Sequence, residues 1–505
     1  MGLAIIYCRG SFGISAPAVT VEAHIAVGLP GLHIVGLPET AVKESKDRVR
    51  SAILNSQFEF PARKVIINLA PADLPKQGSR FDLPIALGIL AALQQIPNEI
   101  LAEYEFAGEL ALTGELRSIK GVLPLSLATR DAKRKLILPY VNAEEASLSS
   151  DCEIYPANHL LEVCAHLMGQ QKLQRYQNQH TKINMNEELN FSEVIHQHQA
   201  KRALEIAAAG QHSVLMIGPP GTGKTMLASR LPGILPPLTE KEALESATIQ
   251  SISRKSFEMK NWRQRPFRAP HHSASSIALV GGGNPPRPGE ISLAHNGILF
   301  LDELPEFQRN VLEALREPLE SGFVTISRAA YSNEFPARFQ FIAAMNPCPC
   351  GYLGDARGHC QCTSKQITKY QSRISGPILD RIDIHINVPP LPKGILSEAT
   401  NMLIETSEAM RKRVELARHY QLQRSDLPNG LLTSKKIMQY CQLRKEDQTL
   451  LENALEKLNL SARAYHRILR VARTIADLDH SENIKTSHLT EALSYRQLDR
   501  KFHNT

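Results

Sequence analysis

The sequence predicts an α/β protein with a parallel-sheet phosphate-loop core, a mixed α/β domain before it and a helical segment after it. Three observations carry this expectation. GPPGTGKT, Gly218 to Thr225, matches G-x-x-x-x-G-K-[ST] in full and sits between an apolar run and a helical pattern. Two further apolar runs, ILFL before Asp302 and FQFIAAM before Asn346, each end in a polar residue. The stretch from Gly394 onward has helical periodicity and little strand pattern.

The expected boundaries follow from composition: residues 1–170, a linker over 171–190, a core over 191–392 and a helical lid over 393–505. In the first domain, Val19 to Val27 and Val65 to Asn68 alternate like strands. Leu83 to Leu93 and Leu125 to Lys133 fit helices, and Lys135 to Pro139 fits a strand. From Gln170 to Glu188 the chain is polar, with no apolar periodicity, and reads as a linker. The core opens near Phe191, with a helix at Gln199 to Ala209 and a strand at Ser213 to Ile217. The helical segment shows periodic stretches at Ser397 to Tyr420, Lys445 to Leu458 and Ser461 to Leu478.

Composition narrows the function classes. Over 505 residues the formal charge is +7, which permits nucleic acid as a partner without requiring it. Leu83 to Leu93 is the best apolar stretch, and it is too short to span a bilayer. MGLAIIYCRG lacks a basic n-region and a long apolar h-region, so a cytoplasmic protein with no membrane partner is expected.

The glycine loop implies ATP and Mg²⁺. In Gly218, Pro219, Pro220, Gly221, Thr222, Gly223, Lys224 and Thr225, the glycines let backbone N–H groups face the phosphates. The helix that starts at Lys224 adds the positive end of its dipole. Lys224 is expected on the β- and γ-phosphates and the Thr225 hydroxyl on Mg²⁺. Asp302, ending its buried strand, is expected to hold Mg²⁺ through water, and Glu303 to activate the attacking water. Asn346 is placed to contact the γ-phosphate or position that water. Arg381, in SGPILDRID, follows the third apolar run and suggests an arginine finger that reaches a neighbouring subunit. Arg463, Arg467 and Arg470 fall on one face of a helix, with Leu469, Ala472 and Ile475 away from it. Arg463 is the candidate γ-phosphate sensor.

Four cysteines cluster as CPCGYLGDARGHCQC, two C-x-C pairs with nine residues between them, Cys348, Cys350, Cys360 and Cys362. Four thiolates can enclose Zn²⁺ in a closed, structural site, with His359 as a substitute ligand. Arg268, His271, His272 and Arg287, among glycines and prolines, and Arg328, in an expected hairpin from Gly322 to Phe339, are candidate DNA contacts. Lys43, Lys46, Arg48, Arg50, Arg63, Lys64, Lys76 and Arg80 could likewise follow a phosphate backbone.

The order of these elements resembles the AAA+ ATPases. FRAPHHSASSIALVGGGNPPRPGEISLAHNGILFLDELPEF, Phe267 to Phe307, is similar to their magnesium-chelatase-like branch, and the whole chain resembles the ComM/YifB family. That resemblance implies a Lon-protease-like first domain, an AAA+ core with a helical lid, and a homohexameric motor. It implies action on single-stranded and branched DNA, as a branch-migration helicase in natural transformation. LPKQGSRFDLPIALGIL is similar to the Lon stretch with the nucleophilic serine, but Arg80 stands at that position, with Ser79 beside it. Leu123 stands where the Lon lysine belongs, so no peptidase activity is expected. His196 departs from the family's usual glycine. A chelatase-type motor remodelling a protein partner, and an ATP-dependent protease, are the competing readings.

Overall fold

The computed structural model describes residues 2–177, 189–253, 257–283, 286–328, 331–355, 360–391, 405–458 and 460–496. Two compact units emerge. The first takes residues 1–183 together with 244–262 and 329–335; the second takes 184–243, 263–328 and 336–505, so the lid shares a unit with most of the stretch read as core, while 244–262 and 329–335 of that stretch fall in the first unit.

The first unit is built on a seven-stranded mixed sheet. Its strands are β1 (Leu3–Arg9), β2 (Ala18–Ala26), β3 (Gly31–Val35), β4 (Lys64–Ala70), β5 (Tyr104–Phe106), β6 (Lys135–Pro139) and β7 (Ile154–Ala157). They lie in the order β3-β4-β2-β1-β5-β6-β7. β2 runs antiparallel to both β1 and β4, and the remaining pairs are parallel. Alternate residues of β1, β2 and β4 are buried, as a sheet with one packed face requires. Helix α1 (Thr40–Asn55) packs on α2 (Asp82–Ala92), which in turn covers β1 and β2. Every residue of α2 is buried, so its continuous apolar run forms a core helix. The helix over Val122–Asp131, α3, starts three residues before the expected Leu125, behind Gly121 in the left-handed region.

The second unit has a five-stranded sheet of β8 (Val214–Ile217), β9 (Phe267–Arg268), β10 (Ile298–Leu301), β11 (Gln340–Met345) and β12 (Ile384–Asn387). The order is β9-β10-β11-β8-β12 and every pair is parallel. β8, β10 and β11 are buried at every residue, which explains their unbroken apolar sequence. Helices α4 (His198–Gly210) and α5 (Lys224–Arg230) bracket β8 in sequence.

The C-terminal helices are α6 (Ser407–Ser425), α7 (Lys445–Leu458), α8 (Ala462–Leu478) and α9 (Thr486–Ser494). Residues 397–404 of the first expected helix lie outside the described residues. Ser461 caps α8, its side chain accepting the Ala464 N–H. Leu469, Ala472 and Ile475 face inward, and α8 packs on α4 and α6, so sheet and helices share one core. No helix among the described residues is long and apolar enough to cross a membrane.

Candidate functional site

Because all five strands of the second unit's main sheet are parallel, the loops at their C-terminal ends share one edge. The glycine loop leaves β8, Asp302 follows β10 and Asn346 follows β11, the strand between those two. Gly221 and Gly223 have φ of 74° and 87°, which a side chain resists. Gly218 is needed for a different reason: a Cβ there would overlap the carbonyl oxygen of Val388.

The Lys224 ammonium is buried. It donates to the Gly218 and Pro219 carbonyls at 2.8 and 2.9 Å and to Asn346 Oδ1 at 3.1 Å. Burial lowers its pKa, against the pull of Asp302 and Glu303. Thr225 Oγ1 lies 2.5 Å from Asp302 Oδ2, so a hydroxyl and a carboxylate suited to Mg²⁺ meet across the loop. Asp302 Oδ1 accepts the Glu303 N–H at 2.9 Å. Glu303 has φ 52°, a left-handed backbone that is uncommon for a residue with a side chain. No residue pattern signals this strain.

His272 lies here too. Its Nδ1 is 3.2 Å from Glu303 Oε2, and its ring is 4.0 Å from that of His271. The sequence offered His272 as a DNA contact, because its neighbours are basic; the structure sets it against the candidate base. Arg268 is held by both oxygens of Glu290, at 2.6 and 2.7 Å. His271 is exposed and shares a hydrogen bond with Ser273 Oγ, while Arg287 is half-buried in a short strand. Arg328 ends the strand Phe323–Arg328, and its side chain lies outside the described residues.

His196 and Gln197, at φ 62° and 53°, make a left-handed turn before α4. The family's glycine suits such a backbone; here histidine adopts it. Gln197 Nε2 donates to the Pro389 carbonyl at 2.8 Å, tying this turn to the end of β12.

At the opposite edge of the sheet lies a cavity of about 410 Å³, lined by Glu320, Arg381, Asp383, Arg463, Arg467 and Arg470 among others. Arg381 precedes β12 and is held by Glu320 and by the Pro377 carbonyl. Arg467 spans the Arg381 carbonyl and Asp383 Oδ1, both at 2.8 Å. Arg470 donates to the Leu432 carbonyl. Arg463 is the exposed member of the three, 3.9 Å from Asp380. Burial alone would raise the Asp383 pKa, but His212, Arg467 and Arg470 hold it well below the usual carboxylate range. The arginine face of α8 therefore gathers around Arg381, away from its own subunit's glycine loop.

The cysteines form one cluster, their sulfurs all within 4.8 Å of one another. Cys348 Sγ is 3.4 Å from Cys350 Sγ and 3.7 Å from Cys360 Sγ, and Cys350 to Cys360 is 3.6 Å. A tetrahedron of Zn–S bonds near 2.3 Å requires sulfurs about 3.8 Å apart, so the set fits Zn²⁺. Burial pushes the Cys348 thiol up to about 12, while the Tyr352 N–H draws Cys350 down to about 6. His359 lies outside the described residues.

In the first unit, three of the eight candidate basic residues turn inward. Lys76 is fully buried with its ammonium on the Pro71 carbonyl, and Arg48 pairs with Asp82 at 2.7 Å. Arg80 is buried, donates to the Lys120 carbonyl at 2.7 Å, and is lowered by burial to about 10. These three hold the fold together and are not placed to track a phosphate backbone. Ser79 Oγ hydrogen-bonds the Glu109 carboxylate, and Leu123 is buried.

Residues 190–396 match the family described as magnesium chelatase, subunit ChlI; residues 21–142 match subunit ChlI of Mg-chelatase, and 404–496 its C-terminal part. The chain is 54% identical to competence protein ComM of Haemophilus influenzae, over 99% of this chain and 98% of that protein. It is 52% identical to the uncharacterized protein YifB of Escherichia coli, with the same coverage. Against the magnesium-chelatase 38 kDa subunit of Cereibacter sphaeroides the identity is 25%, over 31% of this chain and 52% of that one.

Proposed function

This chain belongs to the magnesium-chelatase-like AAA+ ATPase family that includes ComM and YifB, and from that premise we propose that it is an ATP-driven hexameric DNA motor, a branch-migration helicase acting in recombination during natural transformation. In this reading Lys224 and the N–H groups of residues 218–225 hold the β- and γ-phosphates, and Thr225 and Asp302 hold Mg²⁺. Glu303 activates the attacking water, and Asn346 contacts the γ-phosphate or positions that water. Arg381 and Arg463 complete the site of the next subunit, where they stabilise charge developing on the γ-phosphate. The four cysteines hold a structural Zn²⁺. Single-stranded or branched DNA is gripped by the basic loops at His271, Arg287 and Arg328. Arg268 and His272 join them only by exchanging Glu290 and Glu303 for phosphate. The location is cytoplasmic.

One observation carries the reading: the phosphate-site residues and the arginine cluster sit at opposite edges of one parallel sheet. A subunit so arranged has the phosphate half of a site on one edge and a cationic half on the other. Stacking head to tail joins the halves, and a closed ring does so for every subunit. DNA as the substrate is supported by 54% identity to competence protein ComM along the whole chain, whereas the chelatase 38 kDa subunit is only 25% identical, over 31% of it.

The test is ATPase activity with and without single-stranded or forked DNA, beside Lys224→Ala. DNA is expected to stimulate hydrolysis, and Lys224→Ala to abolish both hydrolysis and transformation. If DNA neither binds nor stimulates, and Lys224→Ala transforms normally, the motor reading is abandoned.

A further inference from the structure

Past the last β-strand residue that precedes it, Asn346 is followed at once by Pro347 and Cys348, so the cysteine knuckle begins one residue from the phosphate site. The turns after Cys348 then come back on that site. Gly351, at φ 84°, brings its backbone against the glycine loop, where a Cβ would lie 2.6 Å from Pro220 Cδ and 2.8 Å from Pro220 Cγ. The same Cβ would lie 3.9 Å from Asn346 Cγ. Asn346 Oδ1 in turn accepts from the Lys224 ammonium. Gln371 Nε2 fixes the Pro347 carbonyl at 3.0 Å, and the Tyr370 hydroxyl meets the Asn346 backbone. The knuckle thus meets the loop through Gly351 on Pro220, and Asn346, two residues before Cys348, meets it again at Lys224.

We propose that Zn²⁺ in this four-thiolate knuckle braces the phosphate loop, so that metal occupancy and nucleotide binding are thermodynamically coupled. The proposal rests on the ATP reading of the glycine loop. Four thiols at these distances attract one another only weakly, and as thiolates they repel. A divalent cation reverses that balance: as each Zn–S bond forms, the thiol's proton leaves to solvent and the four sulfurs are held together. Holding Cys348 and Cys350 fixes Gly351 next to them, and a fixed Gly351 limits where Pro220 can move. With the metal gone, the loop must be ordered by the nucleotide alone, which weakens binding. Coupling of this kind is reciprocal, so nucleotide must also slow the departure of Zn²⁺.

The experiment uses the full chain purified without chelator. Elemental analysis is expected to find one Zn²⁺ per chain. Zn²⁺ release to a chromogenic chelator is followed with and without saturating MgADP, and a fluorescent ADP analogue is titrated into loaded and stripped protein. Nucleotide is expected to slow release at least about fivefold, and stripping to weaken nucleotide binding by a similar factor, reversed on adding Zn²⁺ back. Because cysteine variants can fail to fold, Gly351→Val provides the second test: it is expected to keep its Zn²⁺ yet bind nucleotide more weakly. Equal nucleotide affinity in loaded and stripped protein, with a release rate indifferent to MgADP, overturns the coupling. Nucleotide binding by protein that never carries Zn²⁺ overturns the metal while leaving the ATP reading intact. Failure of Zn²⁺-loaded protein to bind nucleotide overturns both.

Discussion

Arg381→Ala, mixed with Lys224→Ala, tests whether the ATP site is shared between subunits. β8 and β12 pair in parallel from Val214 opposite Ile384 to Ile217 opposite Asn387. The glycine loop leaves the far end of β8, while Arg381 lies before the near end of β12. Four strand residues put roughly 13 Å between the two edges, before the flanking residues are added. Arg381 is further anchored by the Pro377 carbonyl, 2.7 Å from Nη1, and by Glu320. Its link to the exposed Glu320 is worth about 1 kcal/mol or less and is readily exchanged for a phosphate. In its own subunit the guanidinium cannot cross the sheet; the proposed ring would offer it a neighbour's site. Each single variant is expected to lose hydrolysis, Arg381→Ala by about 10³-fold or more. In an equal mixture, a site works when Lys224 comes from one subunit and Arg381 from the next. Random assembly gives about a quarter of such sites in a head-to-tail ring. The assay is ATPase activity after subunit exchange, with assembly checked by native mass measurement. A mixture no more active than its two components, in rings that have exchanged, would refute a shared site.

Three further changes probe the same unit. Gly218→Ala sets a methyl into the Val388 carbonyl and 3.1 Å from Thr222 Oγ1; a cost of about 1–3 kcal/mol is expected as a lower unfolding midpoint with weaker nucleotide binding, and unchanged values in both would count against the tight fit. Asp383→Asn leaves the Arg467 guanidinium without its carboxylate, an expected loss of about 3–5 kcal/mol in urea unfolding at neutral pH. Because the folded carboxyl titrates below its unfolded value, its stabilisation is present above about pH 4 and fades as pH falls further; a difference between the two proteins that instead widened in acid would contradict the sign. His272→Ala removes the partner of the Glu303 carboxylate, and kcat is expected to fall about tenfold to a hundredfold with KM unmoved; an unaltered kcat would return His272 to the basic loop it was first read with.

The parts of this site that the sequence made legible are those whose chemistry requires contiguous residues. A phosphate loop needs its glycines, lysine and threonine in one run, and the four-cysteine cluster draws its ligands from one short stretch, Cys348 to Cys362. Likewise β8, β10 and β11 announce themselves because a central parallel strand is apolar throughout. What stayed hidden depends on which surface each residue meets. Helical spacing put Arg463, Arg467 and Arg470 on one face, but could not say that Arg467 on this face is held by Asp383. Charge alone made Lys76, Arg80 and Arg48 candidates for DNA, although each is held by groups of its own unit: the Pro71 carbonyl, the Lys120 carbonyl and Asp82. His272 was hidden twice over: its basic neighbours suggested phosphate, and its partner Glu303 lies on another strand's end, turned by a backbone angle that no residue pattern encodes. The segregation of phosphate loop and arginines to opposite edges belongs to this second class, since it follows from strand order. It turns the Arg381 edge into an argument for a second subunit: Asp383 answers Arg467 and Arg470, whereas Arg381 is held only by the Pro377 carbonyl and the exposed Glu320, a pairing that an anion from outside the chain can replace at little cost.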